Sequence, residues 1–371
     1  MQITSAVLKN DEKAIFGLRE LYRKYGYSQY KMSKFEPYDL YVRNKDFLVS
    51  ENIITFNDAS GKLMALKPDV TLSIIKNSDD TENFVQKVYY NENVYRPDKN
   101  SGTYKEIMQL GLECIGKIDT YAISEVLMLA AESLDSISED FVLDISHMGI
   151  AKPILDSLGL SHGAKSEILK CLGEKNAHGI LAVCERENKD SAMLSALVST
   201  YGAATDVLPK LDALSVPENE GAIEELRRVI SVLERCGFGD RIRIDFSVIN
   251  NMNYYNGIAF RGFIKGLSAG ILSGGQYDTL MHRMGKKAGA IGFALYLDML
   301  ENLEGNSRDF DVDIVLLYDE NANMGALCEM VGILTQNGKS VMAQRSVPEK
   351  LKYRQLLKLS EKGVEVIENN A

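Results

Sequence analysis

What the chain lacks already excludes much. Its 371 residues contain no tryptophan, only 4 histidines and only 5 cysteines. Cys114, Cys171, Cys184, Cys236 and Cys328 form no CxxC pair, and the histidines show no metal-ligand spacing, so free thiols and no structural metal are expected. No stretch approaches the roughly 18 to 20 uninterrupted apolar residues of a membrane helix. The opening MQITSAVLKNDEK lacks the apolar run of a signal peptide, which makes a cytoplasmic protein the expectation. Basic excess is missing too: 42 Lys and Arg stand against 52 Asp and Glu, a formal net charge of −10 at pH 7. That balance favours solubility and works against generic affinity for nucleic acid, which draws on clustered Lys and Arg. The short basic stretch Lys350, Lys352, Arg354 reads as a solvated helix face.

What is present is ordinary globular composition, 45% hydrophobic and 25% charged, in a chain long enough for two or three domains. Residues 11–25 set Ile15, Leu18, Leu21 and Tyr22 at helical spacing, with acids in the first turn and bases in the last. FLVSENIITF and KLMALKP, separated by the turn chemistry of NDASGK, predict antiparallel sheet. FVQKVYYNENVY and TYKEIMQLGLECIG, joined by RPDKNSG, predict a second hairpin. Residues 119–135 and about 150–238 carry helical periodicity with few strand signals, a helical insertion that interrupts a sheet. β-rich text resumes in RIRIDFSVINNMNYYNGIAFRGFIKG and SAGILSGGQYDTLM, before a helix-like GAIGFALYLDMLENL. After a linker near 304–308, DVDIVLLYD, an apolar helical run from Gly325, KSVMAQR, a helical LKYRQLLKLSEK and GVEVIE alternate strand and helix as a small α/β domain does.

Two stretches could carry chemistry. In TYKEIMQLGLECIG the period of two puts Ile107, Gln109, Gly111, Glu113 and Ile115 on one face, an amide and a carboxylate flanking a bare glycine. Gly111 would let a ligand lie close to the backbone, while Gln109 and Glu113 offer partners for an ammonium or imidazole N–H. The plainer reading is a solvent-facing polar strand with a bulge. SAGILSGGQYD brings Gly270, Gly274 and Gly275 into a β context, which is no phosphate loop and reads alone as a bulged strand.

Taken in order, KPDVT at 67–71, VYRP at 94–97, QLGLE at 109–113, NYYNG at 253–257, SGGQYD at 273–278 and IGFAL at 291–295 resemble the histidyl-tRNA synthetase family over nearly the whole chain. KPDVT resembles the family's LRPEGT element. The text through QLGLE resembles class II motif 2, NYYNG and SGGQYD the two histidine-specific motifs, and GFALYLD motif 3. The resemblance implies an α+β fold, a class II aminoacyl-tRNA synthetase-like antiparallel sheet with flanking helices. It implies a core over 1–304 holding the helical insertion, and over 309–371 a small α/β domain resembling a truncated anticodon-binding domain. It also implies a histidine pocket: Asp69 and Thr71 at the α-amino group, Gln109 and Glu113 on histidine-contacting positions, Tyr254 and Tyr255 as the paired tyrosines. An ATP site would adjoin it.

Adenylation builds negative charge at an α-phosphate, so an enzyme needs preorganised cations there. Arg96 matches the motif 2 arginine, but the histidine-specific arginine is Asn250, three residues before Asn253, and the motif 3 arginine is Met299. GGRYD has become GGQYD with Gln276, and the motif 2 loop carries Asp98, Asn100 and Thr103. Each lost transition-state donor costs roughly 3 to 4 kcal/mol. This pattern resembles the family of regulatory subunits of ATP phosphoribosyltransferase. That resemblance implies a non-catalytic chain without cofactor, which activates the short catalytic subunit in the first step of histidine biosynthesis and mediates feedback inhibition by L-histidine. It further implies a homodimer within a hetero-oligomer, and no tRNA. A divergent histidyl-tRNA synthetase, drawing its cations from Arg261 or Arg283, is the alternative, and a synthetase-derived RNA- or protein-binding module is a third. His147 reads as a packed or capping histidine, Met108 and Met252 as core fillers, and Arg96 alternatively as a remnant paired with a nearby acid.

Overall fold

In the computed structural model of the chain, the first amphipathic run is the helix Asn10–Lys24. It carries Asp11 and Glu12 in its first turn and Arg23 and Lys24 in its last, matching the helix dipole, and buries Leu18 and Tyr22. The structure describes residues 8–48, 52–80, 84–98, 101–248, 254–303, 310–360 and 363–370. The chain divides into two compact units, Met1–Leu303 and Glu304–Ala371. The linker expected near 304–308 lies outside the described residues, as do Asn100, Asn250, Met252 and Asn253.

The strands of the first unit are β1 (Ser28–Gln29), β2 (Phe35–Pro37), β3 (Thr55–Asn57), β4 (Leu63–Leu66), β5 (Gln86–Pro97), β6 (Tyr104–Gly116), β7 (Phe141–His147), β8 (Tyr201–Ala203), β9 (Ile242–Asp245), β10 (Ile258–Ile264), β11 (Leu272–Gln276) and β12 (Gly289–Tyr296). Nine of them form one sheet in the order β1, β5, β6, β12, β11, β10, β7, β9, β8, and β2, β4 and β3 form a small antiparallel one. Among the described strand pairs of the large sheet, β1–β5 and β7–β9 are parallel and the rest antiparallel. The hairpin β5–β6 is closed by Asp98 and Thr103 backbone groups and by Gly102, whose φ of +69° a side chain would resist.

Alternation along β6 separates two cores. Leu110, Leu112 and Cys114 pack with Ile123, Val126, Leu127 and Ala130 of the helix Thr120–Asp135, which Asp119 caps through the Ala122 N–H. Ile107 and Ile115 join a second core with Val88, Tyr90 and Tyr277. Gln109, Gly111 and Glu113 share that second face.

The stretch expected to be helical carries helices at Met148–Ser157, His162–Gly173, Ala177–Arg186, Ala192–Ser199 and Glu220–Arg235. It also lends β8 to the sheet, as the antiparallel neighbour of β9. One expectation fails here. GAIGFALY is not helical but is strand β12, between β6 and β11, and only 297–302 that follows is a 3-10 turn. A strand buried on both faces is apolar without alternation, and such a run fits a helix and a strand equally.

The second unit has β13 (Val312–Leu317), β14 (Val341–Gln344), β15 (Tyr353–Ser360) and β16 (Gly363–Asn369), in the order β14, β13, β15, β16, with the helix Met324–Gln336 capped by Asn323. The helix expected over LKYRQLLKLSEK is instead β15, parallel to β13 and antiparallel to β16. Leu356 and Leu357 fall in different cores on opposite sides of β15, so its leucines mimic helical spacing, and Arg354 lies on a strand rather than a helix face. Among the described residues no helix is long and apolar enough to cross a membrane.

Candidate functional site

Register across five strands builds a floor. Tyr90, Gly111, Ala294, Ser273 and Arg261 are direct partners in turn on β5, β6, β12, β11 and β10. Val88, Glu113, Gly292, Gly275 and Ala259 form the next row. Direct partners in antiparallel strands share a face, so the middle of the floor is small, with Tyr90 and Glu113 on β5 and β6 to one side of it and Arg261 on β10 to the other. Over this floor lies a cavity of about 390 Å³ whose lining includes Asp69, Thr71, Gln109, Glu113, Tyr254 and Tyr255. All six residues proposed from sequence thus meet in one place, and Arg96 joins them.

Glu113 is the centre of the polar network. Thr71 Oγ1 donates to its Oε1 at 2.8 Å, and the Tyr277 hydroxyl donates to its Oε2 at 2.6 Å. Burial pushes the Glu113 carboxyl up to about 8, opposed by those two hydrogen bonds and helped by the neighbouring Asp69. Asp69 is likewise raised by burial, while the charge of Arg96 and backbone N–H groups of the following helix hold it down. Its Oδ1 accepts from the Leu72 N–H at 2.9 Å. Two carboxyls in one desolvated space share the cost of ionising, and a cationic group brought between them would relieve it. Tyr254 and Tyr255 meet edge to face with centroids 4.8 Å apart, and Tyr254 continues to Phe47 and Tyr277.

The glycines serve a different purpose from the one expected. A Cβ on Gly111 would lie 2.5 Å from the Tyr90 hydroxyl, so that space belongs to a tyrosine of the site and not to a ligand. A Cβ on Gly292 would fall 1.8 Å from Glu113 Oε2, and one on Gly275 2.5 Å from Tyr255 Cδ1. Missing side chains in QLGLE, SGGQYD and IGFAL make room for the acid and the aromatics. Tyr90 and Tyr277 were missed as wall residues, although the alternation Val88, Tyr90 on the hairpin and the tyrosine of SGGQYD were legible signals.

The cationic side is sparse. Arg96 donates from Nε to the Pro68 carbonyl at 2.7 Å and stands 3.8 Å from Asp69, which is the acid pairing foreseen for it. Met299 packs against the main core, and Gln276 donates to Asp278 at 2.7 Å. Arg283 donates to Asp46 at 2.8 Å and stacks on Phe47, and is not among the cavity residues, whereas Arg261 is. His147 Nδ1 accepts from the Gly149 N–H at 3.0 Å at the head of the helix Met148–Ser157, with Glu225 on its other ring nitrogen, so it is a cap. Met108 packs at the edge of the main core.

The family model described as histidyl-tRNA synthetase matches residues 6–300, so the sheet and its cavity of acids and paired tyrosines belong to a protein of the histidyl-tRNA synthetase class. Within that class the chain belongs to the family of ATP phosphoribosyltransferase regulatory subunits. A protein of that name from Caldanaerobacter subterraneus subsp. tengcongensis is 34% identical over 288 residues, 76% of this chain and 75% of the relative. The fold agrees. An ATP phosphoribosyltransferase regulatory subunit/histidyl-tRNA synthetase from Bacillus halodurans superposes with a TM-score of 0.72 at 23% identity, over 90% of this chain and 88% of its own. A chain of the ATP phosphoribosyl transferase complex from Thermotoga maritima superposes with a TM-score of 0.62 at 19% identity, over 77% of this chain and 97% of its own.

Proposed function

We propose that this regulatory subunit makes no histidyl-adenylate, activates the short catalytic subunit of ATP phosphoribosyltransferase in the first step of histidine biosynthesis, and carries feedback inhibition by L-histidine bound in the cavity. The observation that supports it most is the division of the cavity. Acids, an amide and paired tyrosines are assembled at one end, whereas Arg96 is tied to Pro68 and Asp69 and the motif 3 position is a core methionine. In this reading Asp69 and Thr71 meet the α-ammonium, Gln109 and Glu113 the imidazole, and Tyr254 and Tyr255 wall the ring. Arg96 is a remnant of the nucleotide side. Catalysis needs cations aimed at a developing charge, but regulation needs only that histidine bind one conformational state more tightly than another. A homodimer within a hetero-oligomer, and no tRNA, complete the reading. The name of the Thermotoga maritima neighbour, a transferase complex, favours the partner.

The test mixes the purified protein with the short catalytic subunit from the same organism and measures phosphoribosyl-ATP formation with and without histidine. Stimulation that histidine reverses is expected. A catalytic subunit indifferent to the addition would refute the proposal.

A further inference from the structure

The cavity floor has two chemically different ends. Gln109 and Glu113 stand on β6, and Arg261 stands on β10, with β12 and β11 between. Three strand spacings separate those backbones, on the order of 14 Å. Arg261 is half-buried, and its stem lies against Gly270, where an added Cβ would come within 2.8 Å of both its Cγ and Cδ. Ser273 on β11 and Asp144 on β7 are its register partners; burial and the neighbouring Asp245 push the Asp144 carboxyl up to about 6, opposed by Arg243, Lys175 and Arg261. Yet among the described residues its guanidinium makes neither a hydrogen bond nor an ion pair, while Arg96 and Arg283 each have both. A half-buried guanidinium stays charged and is costly to leave without acceptors, so an anion delivered to it gains charge-assisted and potentially bidentate bonds.

We propose that Arg261 binds the α-carboxylate of the amino acid whose ammonium meets Asp69 and whose side chain meets Gln109 and Glu113, and so sets specificity for a free amino acid. This rests on the amino-acid reading of the cavity. With the ammonium at Asp69, the ring at β6 and the carboxylate drawn toward β10, the ligand lies over the floor of small residues, and the long arginine side chain covers the rest of the distance from β10. A decarboxylated analogue keeps two of the three anchors and loses the third.

Calorimetry on the intact protein compares L-histidine with histamine, which has the same ring and ammonium but no carboxylate. Histidine is expected to bind on the order of tenfold or more tightly than histamine, the ratio one charged hydrogen-bonded contact supplies. Arg261→Gln should bring histidine down to the level of histamine and leave histamine unchanged, which also reports that the variant is folded. Arg261→Lys should keep part of the preference. A histidine-to-histamine ratio that survives Arg261→Gln, or an equal loss for both ligands, would overturn the assignment. If Glu113→Gln weakens histidine while Arg261→Gln does not, only this inference falls. Binding of phosphate, and not of histidine, at the Arg261 end would overturn it together with the amino-acid reading.

Discussion

Replacing Glu113 with glutamine tests whether the cavity is built around a buried acid that prefers to keep its proton. A glutamate titrates near 4.5 without the fold, and burial moves Glu113 to about 8. Between those values the folded chain holds a proton that the unfolded chain has released. The stabilising contribution is therefore complete below about 4.5 and is lost as pH rises through 8. One proton of difference gives a limiting slope of about 1.4 kcal/mol per pH unit, so several kcal/mol are at stake across the window. That is a large share of the 5 to 15 kcal/mol typical of a folded domain. Asp69, raised by burial as well, adds to the trend with the same sign. Glu113→Gln keeps shape and an acceptor for Thr71, and the Tyr277 hydroxyl can accept from the new amide. Urea unfolding at half-unit steps from pH 5 to 8.5 should show wild-type stability falling, and the variant falling less by close to one proton. Parallel curves would refute the buried-acid argument. Histidine binding should release a proton from the wild type below pH 8 and not from the variant, which calorimetry in buffers of different ionisation enthalpy reads directly. The variant should also bind histidine more weakly.

Gly292→Ala places a methyl 1.8 Å from Glu113 Oε2 and 2.4 Å from the Leu112 carbonyl, so it should cost about 1 to 3 kcal/mol and lower the melting temperature by several degrees. An unchanged melt would contradict the packing described for Gly292. His147→Ala removes the cap on the Gly149 N–H and the bond to Glu225, a loss of about 1 kcal/mol to be read in urea. Pyrophosphate exchange with ATP and histidine should remain at background, and robust exchange would refute the reading that the chain makes no histidyl-adenylate.

The cavity was more legible in the sequence than the strands that carry it. QLGLE sits on a strand with one face in the main core and the other in the cavity, so its alternation of Leu110, Leu112 and Cys114 with Gln109, Gly111 and Glu113 could be read directly. GAIGFALY borders the same cavity, but Ile291, Phe293 and Leu295 are buried on one side while Ala290 and Gly292 are covered on the other, leaving no polar phase. The purpose of the glycines was hidden for another reason. A glycine records only that a side chain is missing, and what fills the space over Gly111 is Tyr90, whose partnership depends on the β5–β6 register. From sequence Arg261 stood level with Arg283 as a spare cation, and only the sheet order brings Arg261 to the cavity while Arg283 pairs with Asp46.

The order of the large sheet also bears on how the chain can be synthesised. β5 and β6 are neighbours in the chain and can pair once both have emerged, but the other edge of β6 has its partner only when β12 is made, with Gly116 opposite Gly289. Helices, and the strands from β7 to β11, must be translated in between. For that interval the nascent hairpin presents a long row of unpaired backbone groups, the feature that recruits foreign strands. Gln109 and Glu113 lie along that row, and in water the carboxylate is ionised. The polar groups that line the cavity are thus also the ones placed to discourage the open hairpin from joining its neighbours before β12 arrives.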